Sequence, residues 1–180
     1  MINKILLTGA TGFVGQQVFR SLVASSSEIG IVARPSSKKL EQLFPDAREI
    51  IITKDLFLES EDWWAEKCAK YDKVIHIAWH VEPSDYLHSK KNMDCLIGSL
   101  KLAQGATRAG IKKFVGIGTC LEYNISGNSL STRDPLNPDN IYGSTKASLF
   151  LSLSNWFSQH STDFAWCRLF HLYGEGERPD

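Results

Sequence analysis

Neither sign of charge predominates in this chain: twenty basic residues are met by twenty acidic ones, for a formal net charge of zero at pH 7. No nucleic-acid surface and no anionic-membrane surface is therefore expected. Long apolar runs are missing too. The longest are of strand length, so no transmembrane helix is expected. Glycines break the first apolar run too early for it to act as a signal peptide. Cysteine is sparse and scattered, and Cys68, Cys95, Cys120 and Cys167 make none of the close pairs that bind metal or frame disulfides. They read as reduced, mostly buried thiols of a cytoplasmic protein, with no metal site. There is no internal repeat and no low-complexity linker. The 180 residues suffice for one domain with a sizeable core.

What the sequence does have is alternation. β-rich runs at 3–8, 29–33, 49–53, 73–78, 113–118 and 164–170 are separated by helical patterns at 12–24, 38–44, 60–70, 85–109 and 141–159. Strands alternating with helices predict a doubly wound α/β fold, a parallel sheet with helices on both faces. Right-handed crossovers predict the strand order 3-2-1-4-5-6. Trp63, Trp64, Trp156 and Trp166 fall on these patterns and are assigned to the core. Residues 123–140, rich in Asn, Ser, Gly and Pro, read as a loop at the carboxyl side of the fifth strand, where such sheets bind ligands.

The most informative stretch is Gly9-Ala10-Thr11-Gly12-Phe13-Val14-Gly15, between the first strand and the first helix. A helix N-terminus offers unpaired N–H groups and a positive dipole end to a pyrophosphate. Gly9 permits the tight turn, Gly12 lets the backbone approach phosphates, and Gly15 lets helix and strand close up. Thr11, Phe13 and Val14 share the loop. These residues are assigned to a dinucleotide site; the plain alternative is an ordinary strand–turn–helix.

Tyr142 and Lys146 stand one helical turn apart, on one face of the last predicted helix. A free tyrosine titrates near ~10, and an adjacent ammonium favours its phenolate. Such a pair can exchange a proton beside a carbonyl or alcohol carbon. Thr119, ending the fifth strand, could hydrogen-bond the same substrate oxygen. Taken alone, the pair could be an exposed helical feature and Thr119 a cap or turn residue. The second strand ends at Arg34, followed by Ser37 and Lys38, where NAD-binding folds place a carboxylate. A guanidinium can bind a 2′-phosphate, which favours NADP(H), with NAD(H) possible; the alternative is a solvated basic loop.

In this order the motifs resemble the extended short-chain dehydrogenase/reductase family, the NAD(P)-dependent epimerases and dehydratases of nucleotide-sugar metabolism. The glycine string matches its T-G-x-x-G-x-x-G. Lys54-Asp55-Leu56 matches its adenine-contacting Asp, and His76-Ile77-Ala78-Trp79 resembles its H-x-A-A element along the cofactor, with Trp79 for the second Ala. Gly118-Thr119 followed by Tyr123 matches the catalytic strand end. Tyr142–Lys146 matches Y-x-x-x-K, and Arg168-Leu169-Phe170 with Tyr173-Gly174 matches R-x-F-N-x-Y-G. The resemblance implies a Rossmann-like fold and catalysis by Thr119, Tyr142 and Lys146. Lys146 would lower the Tyr142 phenol and bind the nicotinamide ribose. It also implies a homodimer joined through the fourth and fifth helices. Residues 1–170 would form the cofactor domain and 171–180 the start of a linker to a substrate domain, which makes the chain a piece of a longer protein.

Departures narrow the expectation. Cys95 replaces the family's usual Asn, with Asn92 one turn earlier, and His171 replaces a substrate-contacting Asn. Dehydratases place Asp and Glu directly after the catalytic Thr; here Cys120 and Leu121 follow it, which argues against elimination. His80, Cys120, Leu121 and His171 are candidate substrate contacts, each with packing as the plain alternative. The reading favoured is NADPH-dependent reduction of a nucleotide-linked 4-keto-6-deoxyhexose. An epimerase with retained NAD is the first alternative, and a non-catalytic NADP(H)-binding regulator is the second.

Overall fold

The structure, a computed structural model, describes residues 3–35, 40–125 and 129–176. Its strands are β1 (Lys4–Thr8), β2 (Glu28–Ala33), β3 (Glu49–Ile52), β4 (Lys73–His76), β5 (Lys113–Thr119) and β6 (Asp163–Leu169). Its helices are α1 (Phe13–Ala24), α2 (Leu40–Leu43), α3 (Glu61–Cys68), α4 (Lys91–Arg108) and α5 (Ile141–Ser158). The strands form one sheet in the predicted order, β3-β2-β1-β4-β5-β6, and every neighbouring pair is parallel. All carboxyl ends therefore lie along one edge. The connection reverses between β1 and β4, the place where such sheets open a crevice.

Successive side chains on β1 point to opposite faces. Leu6 joins a core with Trp64, Leu102, Ala106, Leu149, Leu153 and Phe157, from α3, α4 and α5. Leu7 joins the other, with Phe19 of α1, Leu40 of α2 and Ile29 and Ile31 of β2. Helix α4 settles onto α3 where it has no side chain: a Cβ on Gly105 would stand 2.6 Å from Trp64 Cβ. Residues beyond β6 return to α1, where Gln17 Nε2 donates to the Glu175 carbonyl at 3.1 Å.

Two expectations, the start of α4 and the burial of Trp156, are corrected. Helix α4 starts at Lys91, six residues later than predicted. The preceding residues form turns, in which the Tyr86 N–H bonds the Glu82 carbonyl. The Asn92 amide holds those turns by donating to the carbonyls of Tyr86 (2.6 Å) and Ser89 (3.0 Å). Trp156 is not core: it is 36% exposed, donates to Thr107 Oγ1 at 2.9 Å and stacks on His160. The cysteines are mostly buried, as expected: Cys68, Cys95 and Cys120 are buried and Cys167 is exposed. Among the described residues, no helix is long and apolar enough to cross a membrane.

Candidate active site

The glycine turn begins at Gly9, whose φ of +79° is a left-handed conformation that favours glycine. Two further contacts require small residues. A Cβ on Gly9 would lie 2.6 Å from Ala78 N, and one on Gly15 would lie 2.0 Å from the Gly9 carbonyl oxygen. The end of β4 is thus pressed against the turn. Gly12 differs: among the described residues a Cβ there would meet the Gly9 oxygen alone, at 3.4 Å, and they leave this side of the loop open. Gly12 also caps α1 without a side-chain acceptor. The N–H groups of Phe13, Val14 and Gly15 consequently have no partner within the helix, whose first bond runs from Gln16 N to the Gly12 oxygen at 3.0 Å. An open backbone, free donors and a positive dipole end fit a dinucleotide pyrophosphate. Thr11 is exposed beside them, and its carbonyl accepts from Gln16 Nε2.

The catalytic candidates meet at the end of β5. Thr119 caps a short 3-10 turn, Cys120–Glu122, its Oγ1 accepting from Leu121 N at 3.2 Å. Asn140 caps α5 by accepting from Gly143 N at 2.8 Å. A Cβ on Gly143 would stand 2.2 Å from the Leu121 carbonyl oxygen, so the absence of one lets the first turn of α5 sit on the 3-10 turn. This contact brings Tyr142 to Thr119, whose hydroxyl stabilises the phenolate by hydrogen bonding. Burial prevails over that bond and pushes the Tyr142 phenol up to about 12. The ring of Tyr86 meets that of Tyr142 edge-on at 5.1 Å.

Lys146 is 3% exposed, and its Nζ donates to the Ile117 carbonyl at 2.6 Å. Its amine lies 3.9 Å from the centre of the Trp79 indole. Burial holds it down to about 7, against the raising influence of Glu122 and Cys95. The ammonium expected to depress the Tyr142 phenol is thus engaged with a carbonyl and an indole, and burial dominates the phenol instead. Trp79 links the two halves of the site. It directly follows Ala78, which touches Gly9, and its ring faces Lys146.

His76 supports this region from below. Ser99 Oγ donates to the Cys95 carbonyl at 2.6 Å, so it accepts from His76 Nε2 at 2.8 Å. His76 Nδ1 then accepts from the Thr8 hydroxyl at 2.7 Å. Burial, followed by the Lys146 charge, lowers His76 to about 3, which keeps it neutral.

Sequence reasoning missed Glu122, although Thr119-x-x-Glu122 has the spacing of a capping box. Glu122 is fully buried. Its carboxylate accepts from Thr119 N at 2.8 Å, from Trp166 Nε1 at 3.0 Å and from Arg168 Nε at 2.7 Å. Asn92 was noted but not placed in the site; its Oδ1 accepts from Trp79 Nε1 at 2.8 Å.

The remaining candidates are more dispersed. Arg34 is exposed at the end of β2, while Ser37 and Lys38 lie outside the described residues. Asp55 is exposed after β3 and accepts from Phe57 N at 2.9 Å. Leu56 packs against the core. Ile77 N donates to the Thr8 carbonyl at 3.2 Å. His80 pairs with Asp85 at 2.8 Å. Cys120 is buried, Leu121 is half-buried, and His171 is exposed beyond β6.

Comparison with known proteins gives this arrangement a context. A family model described as the NAD dependent epimerase/dehydratase family matches residues 5–180. The chain is 24% identical to the dTDP-6-deoxy-L-talose 4-dehydrogenase (NAD(+)) of Aggregatibacter actinomycetemcomitans, over 96% of the chain and 62% of that protein. It is 27% identical to a dTDP-glucose 4,6-dehydratase of Streptomyces griseus, over 100% and 57%. With a UDP-glucose 4-epimerase of Bacillus subtilis the identity is 28%, over 94% and 53%. Among solved structures, a UDP-N-acetylglucosamine 4-epimerase from Methanobrevibacter ruminantium superposes with a TM-score of 0.81 at 23% identity, over 97% of this chain and 57% of that one. The chain thus spans about half to three-fifths of these proteins' lengths.

Proposed function

The chain belongs to the NAD dependent epimerase/dehydratase family, and on that footing we propose that it carries the cofactor-binding and catalytic part of an NAD(P)-dependent oxidoreductase acting on a nucleotide-linked sugar. The observation that supports this most is Tyr142 beside Thr119 at the carboxyl edge of the sheet, with Lys146 one turn along α5 against Trp79, the indole next to the glycine turn. A bound nicotinamide would supply or take up hydride at a sugar carbon. Gly12 and the N–H groups of Phe13, Val14 and Gly15 would hold its pyrophosphate, with Asp55 and Leu56 near the adenine, Ile77, Ala78 and Trp79 along its flank, and Lys146 on the ribose.

The chain's own part in the reaction is proton transfer. With its phenol held near 12, Tyr142 keeps its proton at neutral pH and is ready to donate it to a forming alkoxide. The Thr119 hydroxyl, which favours the phenolate, would bond the same oxygen. The preferred activity is reduction of a nucleotide-4-keto-6-deoxyhexose, which Arg34 in the cofactor loop favours. Cys120 and Leu121 provide no acid–base pair for dehydration. Arg34 supports NADP(H), whereas the name of the 6-deoxytalose dehydrogenase carries NAD(+), which supports NAD(H). A homodimer through α4 and α5 fits the exposure of Ile97 and Leu151.

A second reading, an epimerase that retains NAD, draws on the UDP-glucose 4-epimerases among the relatives. The two separate cleanly: NADPH consumed with nucleotide-4-keto-6-deoxyhexoses supports reduction, and NAD that co-purifies and is never consumed supports epimerisation. Tyr142→Phe should abolish turnover and leave cofactor affinity within about twofold. A near-native rate in that variant overturns the assignment.

A further inference from the structure

Glu122 takes no part in the chemistry above, yet its carboxylate lies fully buried directly behind Thr119. We propose that Glu122 is a positioning residue, holding Thr119 in the orientation from which its hydroxyl reaches Tyr142, and that Arg168 fixes the carboxylate from the neighbouring strand. The inference rests on the reading of Tyr142 as proton donor.

Each contact of the carboxylate restricts it. One oxygen accepts from the Thr119 backbone at 2.8 Å and from Trp166 Nε1 at 3.0 Å; the other accepts from Arg168 Nε at 2.7 Å. Arg168 is flanked by two aromatic rings, its guanidinium 4.9 Å from the Tyr123 ring centre and 4.3 Å from that of Phe150. Gly118 leaves room for the arrangement: a Cβ there would stand 2.2 Å from Glu122 Oε1. With its backbone held, Thr119 accepts from Leu121 N through Oγ1, and its own hydroxyl proton is left for the phenol. A buried ion pair is weak evidence of a stabilising role, since two well-packed apolar residues often serve a core as well.

Among the described residues, the groups facing Tyr142 and Lys146 are few. Tyr142 faces Thr119, Tyr86, Glu122 and Cys120. Lys146 faces Glu122 and Cys95, with neutral His76 beneath. Removing Glu122 therefore has two opposed effects on the phenol: loss of a negative charge lowers it, and loss of a positioned Thr119 hydroxyl raises it. A thermodynamic cycle separates them.

The test follows ionisation of the Tyr142 phenol by ultraviolet difference absorbance, with the matching Tyr142→Phe protein as blank. Thr119→Val is introduced into the parent and into the double variant Glu122→Met/Arg168→Leu, which removes both buried charges together. In the parent, Thr119→Val should raise the phenol by about half a pH unit or more, since the bond to the phenolate is lost. In the double variant it should have almost no effect, because Thr119 is no longer aimed. An equal shift in both backgrounds, or no shift in the parent, overturns the proposal. Should the double variant fail to fold, the same cycle in Glu122→Gln decides, with coupling expected to fall by at least half. None of these readouts needs substrate, so a protein inactive on every nucleotide sugar would sink the functional reading and leave this result standing.

Discussion

The Lys146 amine sits 3.9 Å from the centre of the Trp79 indole, and the same indole donates its N–H to Asn92 Oδ1 at 2.8 Å. An aromatic face thus does for the ammonium part of what water would do in the open. Burial holds Lys146 at about 7, so its charge is finely balanced at neutral pH. Trp79→Leu keeps an apolar wall but removes the ring's negative face, an attraction of about 0.5–2 kcal/mol. Lys146 should then titrate lower by about 0.4–1.5 pH units. The titration can be followed by NMR of the labelled lysine side chain against Lys146→Met, and an unchanged midpoint would show the indole to be mere packing.

The same burial shapes stability against pH. The Lys146 amine falls from 10.5 in the open to about 7 in the fold, so between those values the unfolded chain binds a proton the folded one lacks, and stability rises with pH. Cys68, Cys95 and Tyr142 act in the opposite sense. Burial raises Cys68 from 9.0 to about 12, Cys95 to about 11 and Tyr142 from 10.0 to about 12. Above their ordinary values, the unfolded chain loses protons that the fold retains, and stability falls. Urea midpoints should therefore climb from about pH 7 to 9, by at most about 1.4 kcal/mol per pH unit, and decline at higher pH. Lys146→Met should abolish the climb and leave the decline. A variant that still climbs would mean that Lys146 is charged in the fold throughout.

The glycine turn offers a sharper contrast. A methyl at Gly15 would meet the Gly9 carbonyl oxygen at 2.0 Å, backbone against backbone, with nothing able to move aside. Gly15→Ala should cost about 3 kcal/mol or more, seen as a large fall in thermal midpoint. Among the described residues, a methyl at Gly12 would meet only that oxygen, at an ordinary 3.4 Å. Gly12→Ala should change stability by less than about 1 kcal/mol and still weaken NAD(P)H binding at least about tenfold, because the methyl enters the space assigned to the pyrophosphate. Parental affinity in a well-folded Gly12→Ala protein would remove the pyrophosphate from this loop.

The strand order and the two-faced core were legible because they depend on local alternation and on the handedness of crossovers. Leu6 and Leu7 fall on opposite faces simply by being adjacent. The start of α4 was not legible, because the competitor to helix there is one buried amide, Asn92, which takes up two carbonyls of the preceding turns. Trp156 reads as core by periodicity, but it lies on the outward side of α5 and satisfies its N–H on Thr107. At the site, the spacing of Tyr142 and Lys146 was visible in the sequence, whereas the direction of the ammonium was not. That direction depends on the Ile117 carbonyl and Trp79, far away along the chain. Glu122 had a local signature in its distance from Thr119, but its partner Arg168 comes from β6, 46 residues on.

Arg34 tests the cofactor assignment with one substitution. It stands exposed just past the end of β2, the strand whose tip faces the adenosine ribose in dinucleotide folds. If it receives a 2′-phosphate, the contact is a charge-assisted hydrogen bond of about 1.5–3 kcal/mol, available only with NADP(H). Arg34→Ala should then weaken NADPH binding by about 10- to 150-fold and leave NADH within about twofold, as read by cofactor fluorescence titration. Arg34→Glu should go further and invert the preference, because a carboxylate repels the 2′-phosphate and accepts from the 2′-hydroxyl of NADH. Equal losses for both cofactors would place Arg34 on the shared pyrophosphate or adenine, and no loss for either would leave it a solvated cation and return the cofactor to NAD(H).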